Sequence, residues 1–366
     1  MDKGTHTYEE LVKKYEDFHA PAFEVTIGTK KLDTAKIQFS SITVDIDAGA
    51  DASGCSFTIE SQYDYANSKW NNELLATVKV GEKLIIKAGY VKREEVFYGF
   101  IDDFTINFTS KGAPSIAVTG IDAKGFLMNA NDKKYMSQKK TQDVIKEILN
   151  VCVSKGYAKK ITVGSIANYN AELIQEDMDD YHFLCFIAQN FGMSFFVVDG
   201  EIVFDNLMKD TKTITTLTLG TSLIEFTRRA SLRNIVGKVV VYGIDPITMK
   251  PIKGEANNTS DGGTGDEAGD IAPKFEGIVH KETSMFVQTA EECKRLAQER
   301  FNELQRNFIS GTGRCLGIPE LIPGRYIELK GLDNKSSDKY FIHKVTHEYS
   351  DDGYYTTFHV KGAKSK

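Results

Sequence analysis

The stretch Gly81-Glu82-Lys83-Leu84-Ile85-Ile86-Lys87-Ala88-Gly89 has a counterpart near the other end of the chain, Gly324-Arg325-Tyr326-Ile327-Glu328-Leu329-Lys330-Gly331. Each is followed by an aromatic strand, Val96-Phe97-Tyr98-Gly99 in one case and Lys339-Tyr340-Phe341-Ile342 in the other. Each then reaches a closing strand, Ser115-Ile116-Ala117-Val118-Thr119-Gly120 or Thr357-Phe358-His359-Val360-Lys361-Gly362. Gly81 and Gly324 are 243 positions apart, Tyr98 and Phe341 243, and Gly120 and Gly362 242. A nearly constant offset across three landmarks predicts a duplicated β unit. A subunit with two copies of one module offers two similar docking surfaces, which points to an assembly part before an enzyme.

Working outward, Ala22 to about Gly120 alternates apolar and polar residues. Ile42, Val44 and Ile46 form one such run, and Cys55, Phe57 and Ile59, Phe104, Ile106 and Phe108, and Ile116 and Val118 form others. Short alternating runs between Gly, Asp, Asn and Ser predict an antiparallel sheet folded on itself as a small barrel or sandwich. Ahead of it, Leu11, Tyr15 and Phe18 fall at helical spacing and Pro21 ends the segment.

The middle of the chain changes period. Thr141 is placed to cap a helix whose apolar stripe is Val144, Ile145, Ile148, Leu149 and Cys152, closed by Gly156. Asp179 or Asp180 opens a second helix burying Phe183, Leu184, Ile187 and Phe191. A hairpin from Ser194 to Asp205 then turns at Asp199-Gly200. Beyond it, Ile235 to Tyr242 reads as a strand and Lys250 to Glu276 as a mobile Gly, Asp and Asn-rich loop. Thr289 and Glu292 form a capping box for a helix carrying Cys293, Leu296, Ala297, Arg300, Phe301, Leu304 and Phe308.

The fold class is therefore mainly β (α+β), with two duplicated small β-barrel domains flanking an α+β domain. The expected division is an N-terminal helix or arm over 1–21, a first β-barrel over 22–125, the α+β middle over 126–213 and a second β-barrel over 214–366. That last domain holds the loop 250–276 and one helix, 289–308.

Composition narrows the function. With 366 residues, 41% hydrophobic and 26% charged, the chain reads as a soluble globular protein of two to three domains. A net charge of −6 opposes general nucleic-acid binding. Met1 to Thr7 lacks a signal peptide's apolar core, and no apolar run is long enough to insert in a membrane. The five scattered cysteines, Cys55, Cys152, Cys185, Cys293 and Cys315, contain no CxxC, and they read as small core hydrophobes.

Candidate chemistry is thin. His343, His347 and His359 are the best metal candidates, the first two being four apart on one strand and so on one face, but His-Lys-Val-Thr-His-Glu is not the helical zinc motif. Packing against Tyr349 and Tyr354 is the preferred reading. Asp102-Asp103, the Glu176-to-Asp180 run and Asp351-Asp352 lie at turns and helix starts, where capping alone calls for acids. Asp261 to Glu267 nears a calcium-type glycine repeat but occurs once and off register. No nucleophile elbow or phosphate-cradling lysine loop is present. The expectation is a protein that is not an enzyme, with no catalytic, cofactor or metal residues.

Several segments together resemble the baseplate hub family of contractile tails, which includes phage late control protein D, the T4-type tail hub, PBSX-type tailocin hubs and the N-terminal part of VgrG. They are Tyr98-Gly99-Phe100-Ile101-Asp102, Val118 to Leu127, Gln138 to Ile145, Asp179 to Met193, Ile322 to Leu329 and Tyr340 to His347. The resemblance implies a homotrimer in which six barrels form a pseudo-sixfold ring, joining a hexameric tail tube to a trimeric spike. Implied partners are the tube hexamer, a separate spike protein (the chain stops four residues after Gly362) and other baseplate proteins. Implied location is the bacterial host cytoplasm during assembly, then the tail of the particle. A tail-associated cell-wall hydrolase or glycan-binding module is the alternative.

Overall fold

The computed structural model describes residues 3–49, 51–60, 62–71, 74–129, 135–136, 140–166, 173–175, 177–207, 212–233, 235–257 and 272–364. It opens with helix α1 (Tyr8–Lys14), started by a capping box in which Thr7 and Glu10 bond each other's backbone N–H. Six strands follow: β1 (Ala22–Ile27), β2 (Gln38–Asp47), β3 (Gly54–Glu60), β4 (Lys83–Gly89), β5 (Arg93–Asn107) and β6 (Ser115–Ile121). Their alternating side chains put Val44, Ile46, Phe57, Ile59, Leu84, Ile86, Ile116 and Val118 inside.

Next come α2 (Thr141–Ser154), β7 (Lys160–Val163), α3 (Asp180–Asn190) and the hairpin β8 (Ser194–Val198) and β9 (Glu201–Asp205). The hairpin turns at Asp199 and Gly200, both at positive φ (50° and 76°), as a tight two-residue turn requires. Asp179 caps α3 as expected, its carboxylate accepting from His182 N. Thr141 does not cap α2: it is the first helical residue and is buried, and Lys140 occupies the cap position without a side-chain bond.

The C-terminal half holds β10 (Thr213–Thr218), β11 (Leu223–Ala230), β12 (Lys238–Ile244), β13 (Pro251–Ala256), β14 (Val279–Thr283) and α4 (Ala290–Arg306). The last four strands are β15 (Ile309–Leu316), β16 (Tyr326–Lys330), β17 (Lys339–Ser350) and β18 (Gly353–Lys364). Pro251–Ala256, expected within a loop spanning 250–276, is a strand paired with β12; residues 258–271 of that segment lie outside the described residues. Helix α4 has the expected Thr289 and Glu292 capping box.

One curled sheet of thirteen strands (the short Lys30–Lys31 included) runs through both halves. The first unit is ordered β2-β3-β6-β5-β4-β1 and the second β11-β15-β18-β17-β16-β10. The order is the same. Even the irregularities match: β5 bulges between Ile101 and Asp103 against β6, and β17 between Ile342 and Lys344 against β18. The units differ at one edge, where β1 runs antiparallel to β4 but β10 runs parallel to β16. They also differ by an insertion, since β2 and β3 are joined by a short turn whereas β12 to α4 separate β11 from β15.

The landmark offsets need adjustment. Leu84 and Ile86 correspond to Ile327 and Leu329 as the sequence implies. By pairing, however, Phe100 corresponds to Phe341 and Gly120 to Val360. Both slips are of two residues, which keeps every side chain on its face.

Two buried apolar clusters hold the molecule. The first fills both β units and takes in Leu11, Tyr15 and Phe18 of the N-terminal arm. The second joins α2, α3 and the β8–β9 hairpin to the insertion, through Val239, Val241, Cys293, Leu296, Ala297 and Phe301.

Candidate assembly surface

The two units meet where β17 forks. Its first half pairs with β16, and its second half pairs with β18 on one side and β2 on the other. The joint with β2 is antiparallel, from Lys344 opposite Asp47 to Tyr349 opposite Ile42. Alternation gives it a dry face, with Ile42, Val44, Ile46, Val345 and His347 all buried. The wet face carries Asp45, Asp47, Lys344 and Thr346. There Lys344 Nζ lies 3.4 Å from Asp45 Oδ1, and the Thr346 hydroxyl donates to the same oxygen. At the end of the joint Ala48 N donates to the carbonyl of the bulge residue His343 (2.9 Å).

Two buried polar contacts lock other parts to this sheet. Glu320, 3% exposed, accepts from Lys14 Nζ and from the Tyr15 hydroxyl, both at 2.7 Å, so it clamps the arm to the segment leading into β16. Lys124, fully buried, donates to the carbonyls of Gly49 (3.0 Å) and Asp51 (2.9 Å) in the β2–β3 turn. Its ammonium also lies 5.0 Å from the centre of the Phe195 ring. Burial lowers the Lys124 pKa and raises that of neighbouring Asp122, whose carboxylate accepts from Ser53 N and Lys124 N. Neither contact is legible in the sequence, because a lysine or glutamate that will be buried carries no local periodic signal.

The histidines do not converge. The bulge at His343 breaks the alternation that would have set it beside His347. His343 and His359 face each other with ring centres 6.1 Å apart, while His347 is buried, with Nδ1 at 2.9 Å from the Tyr354 hydroxyl and 3.1 Å from that of Thr356. Burial depresses His347 to about 3 and His343 to about 4. Among the described residues no three His, Cys, Asp or Glu side chains form a group able to hold a metal ion. Asp179 is occupied as a helix cap, and Asp180 accepts from Gln175. Asp102 and Asp103 are exposed on β5. Glu176 and the Asp261 to Glu267 run lie outside the described residues.

A cleft of about 750 Å³ lies between the two cores, with Asp47, Cys185, Glu299, Arg306, His343 and Lys361 among its lining. Burial raises the pKa of the Cys185 thiol, so it is no ready nucleophile. Of the other cysteines, Cys55, Cys152, Cys293 and Cys315 are buried and free.

Comparison with known proteins places this architecture. The 43 kDa tail protein of prophage MuSo2 from Shewanella oneidensis superposes with a TM-score of 0.70 at 15% identity, over 93% of this chain and 98% of that one. A tail protein from Neisseria meningitidis gives 0.68 at 15% identity, over 94% and 97%. The E. coli c3393 protein, described as a type VI secretion component structurally similar to the T4 tail proteins gp27 and gp5, gives 0.58 at 12% identity, over 93% and 77%. At these identities the likeness is one of fold, and it is the fold that the resemblance to baseplate hubs implied. No curated protein matches the sequence. A family model described as the Alg8 N-terminal domain matches residues 21–351, nearly the whole chain. The chain therefore belongs to the Alg8 N-terminal domain family, built on the fold of phage tail proteins.

Proposed function

We propose that this chain is a non-enzymatic hub subunit of a phage tail, tailocin or related contractile injection system. The observation that carries the reading is the repeat itself: two units of the same strand order, each with a bulge at the same place, joined in one sheet. Three such chains supply six similar units. A ring of that kind offers sixfold contacts to a tube hexamer on one side and threefold contacts to a spike on the other. The tail-protein fold supports this assignment. So does the use of Asp179 as a helix cap and of His347 in core packing.

In this reading the N-terminal arm and the two β units (22–125 and 214–366) form the ring. The α+β part (126–213), enlarged by the insertion after β11, sits on its flank. Among the described residues no helix is long and apolar enough to cross a membrane. We place assembly in the bacterial cytoplasm and the finished protein in the tail. The test is native mass spectrometry and electron microscopy of the full chain at high concentration, alone and with the tube and spike proteins of its own system. A three-to-three complex with spike is expected, and a stable one-to-one complex that still builds tails defeats the reading.

A further inference from the structure

The internal joint has an unfilled counterpart. In the second unit, β17 uses its far half to take β2 as an extra strand. In the first unit, the far half of β5 (Asp103–Asn107) pairs with β6 on one side, and among the described residues no strand pairs its other side. Likewise β11, the equivalent of β2, is a terminal strand of the sheet, paired with β15 alone. The chain thus presents one free edge of each kind, and the two are quasi-equivalent to edges that already fit each other. From this we propose that β11 of one copy adds antiparallel to the far half of β5 in the next copy, repeating the β2–β17 joint between subunits. The proposal rests on the hub reading above and supplies the residues of its subunit contact.

The repeat fixes the register. Ile101 of β5 corresponds to Ile342 of β17 through the shared bulge. Val44 pairs with Cys55 as Arg228 pairs with Gly311, which aligns β2 with β11. Carrying the β2–β17 pairing across sets Phe104 opposite Ala230, Thr105 opposite Arg229, Ile106 opposite Arg228 and Phe108 opposite Phe226. Phe104, Ile106 and Phe108 then share the face that is dry in the internal joint, opposite Ala230, Arg228 and Phe226; Phe108 already rests against Tyr63 and Trp70. Phe108 is 64% exposed in the single chain, a large apolar group such a contact would cover.

Charge supports the same register independently. On the wet face of the internal joint, Asp45 of β2 pairs with Lys344 of β17. At the matching positions β11 has Arg229 and β5 has Asp103. Both signs are exchanged together, so the pair remains complementary across the proposed joint. Asp103 and Arg229 are exposed, and neither has an ion-pair partner among the described residues. Swapped signs also discriminate: β11 in place of β2 would set Arg229 beside Lys344, a like-charge contact. A joint of two different edges is heterologous, the kind that closes into rings. An added strand also removes the aggregation hazard of two bare edges.

The test is disulfide trapping of the full chain in a Cys185→Ser background. Thr105→Cys combined with Arg229→Cys should give covalent oligomers on mild oxidation, since residues directly opposite in a sheet lie within disulfide reach. Thr105→Cys combined with Glu225→Cys, four positions out of register, should give none. Thr105, Arg229 and Glu225 are all exposed, so the three substitutions remove no core contact. Separately, Arg229→Glu or Asp103→Lys alone should lower oligomer yield several-fold, and the double exchange should restore it. Rings seen by microscopy with no Thr105–Arg229 bond, or with an equal Thr105–Glu225 bond, overturn the inference and leave the hub reading standing. A chain that stays monomeric at every concentration, alone and with tube and spike proteins, removes the hub reading and this inference together.

Discussion

Gly81 and Gly324 hold the same backbone conformation, with φ of +82° and +83°. Gly81 donates its N–H to the carbonyl of Ile101, and Gly324 donates to that of Ile342, at 2.8 and 2.9 Å. The isoleucines return the bond to the residue after each glycine, Glu82 and Arg325, both at 2.9 Å. In both units the chain therefore enters the equivalent strand, β4 or β16, through a left-handed residue pinned at the bulge. That is a constraint on backbone shape, and glycine meets it at no steric cost.

Equal conformations predict equal penalties. Gly81→Ala and Gly324→Ala should each cost about 1–2 kcal/mol, the price of forcing an L residue into the left-handed region. At Gly81 no atom lies within 4 Å of where the new Cβ would sit, so the backbone alone sets the cost. Urea unfolding of the two variants measures this. A loss confined to one site would show that the turns are not equivalent.

Acid should destabilise the second unit through its histidines. His347 is held near 3 by burial, against 6.5 when unfolded. Above pH 6.5 both states are neutral and the group contributes nothing to the pH dependence. Below it the unfolded chain takes a proton that the folded chain refuses, so stability falls with falling pH and levels off near 3. At pH 5 the loss from His347 is about 2 kcal/mol. His343, near 4, adds loss of the same sign. His347→Gln should flatten the stability curve between pH 6.5 and 4, and an unchanged slope in chemical unfolding would remove this assignment.

One buried carboxylate, Glu320, takes both polar groups of the arm's helix end, Lys14 and Tyr15. Glu320→Ala leaves the buried Tyr15 hydroxyl without its acceptor and Lys14 without one of its two carboxylate partners, and should cost about 3 kcal/mol. Glu320→Gln keeps an acceptor and should cost about half as much. Hydrogen exchange over residues 8–18 reports the effect locally. Unchanged protection there in the alanine variant would mean that packing of Leu11 and Phe18 holds the arm without Glu320.

Much of the fold was legible in the sequence because alternation and helical spacing are local. The stripe from Val144 to Cys152, the Asp179 cap, the Thr289 box and the Asp199-Gly200 turn each rest on a few adjacent residues, and each appears in the structure. The repeat was legible because its glycines and apolar pairs recur in order. Hidden were the contacts that depend on strand neighbours far apart in sequence. Ile42, Val44 and Ile46 announced a strand but not that β17 covers it. Pro251–Ala256 reads as loop because its composition is polar; only its pairing to β12 makes it a strand. His343 and His347 read as neighbours on one face because a bulge is invisible in an alternating string.

The internal joint should depend on its dry face and little on its charges. Ile46 is 2% exposed and Val345 fully buried where β2 meets β17. Ile46→Ala removes buried methyl groups from the main core and should cost about 3 kcal/mol. Asp45 and Lys344 are 47% and 36% exposed, so their attraction is screened, and Asp45→Ala should cost less than about 1 kcal/mol. Unfolding free energies of the two single variants decide the order. The reverse order would mean that the wet face holds the units together, and the charge pattern would then be a source of stability. In the expected order the charges choose which edges meet, and burial keeps them joined.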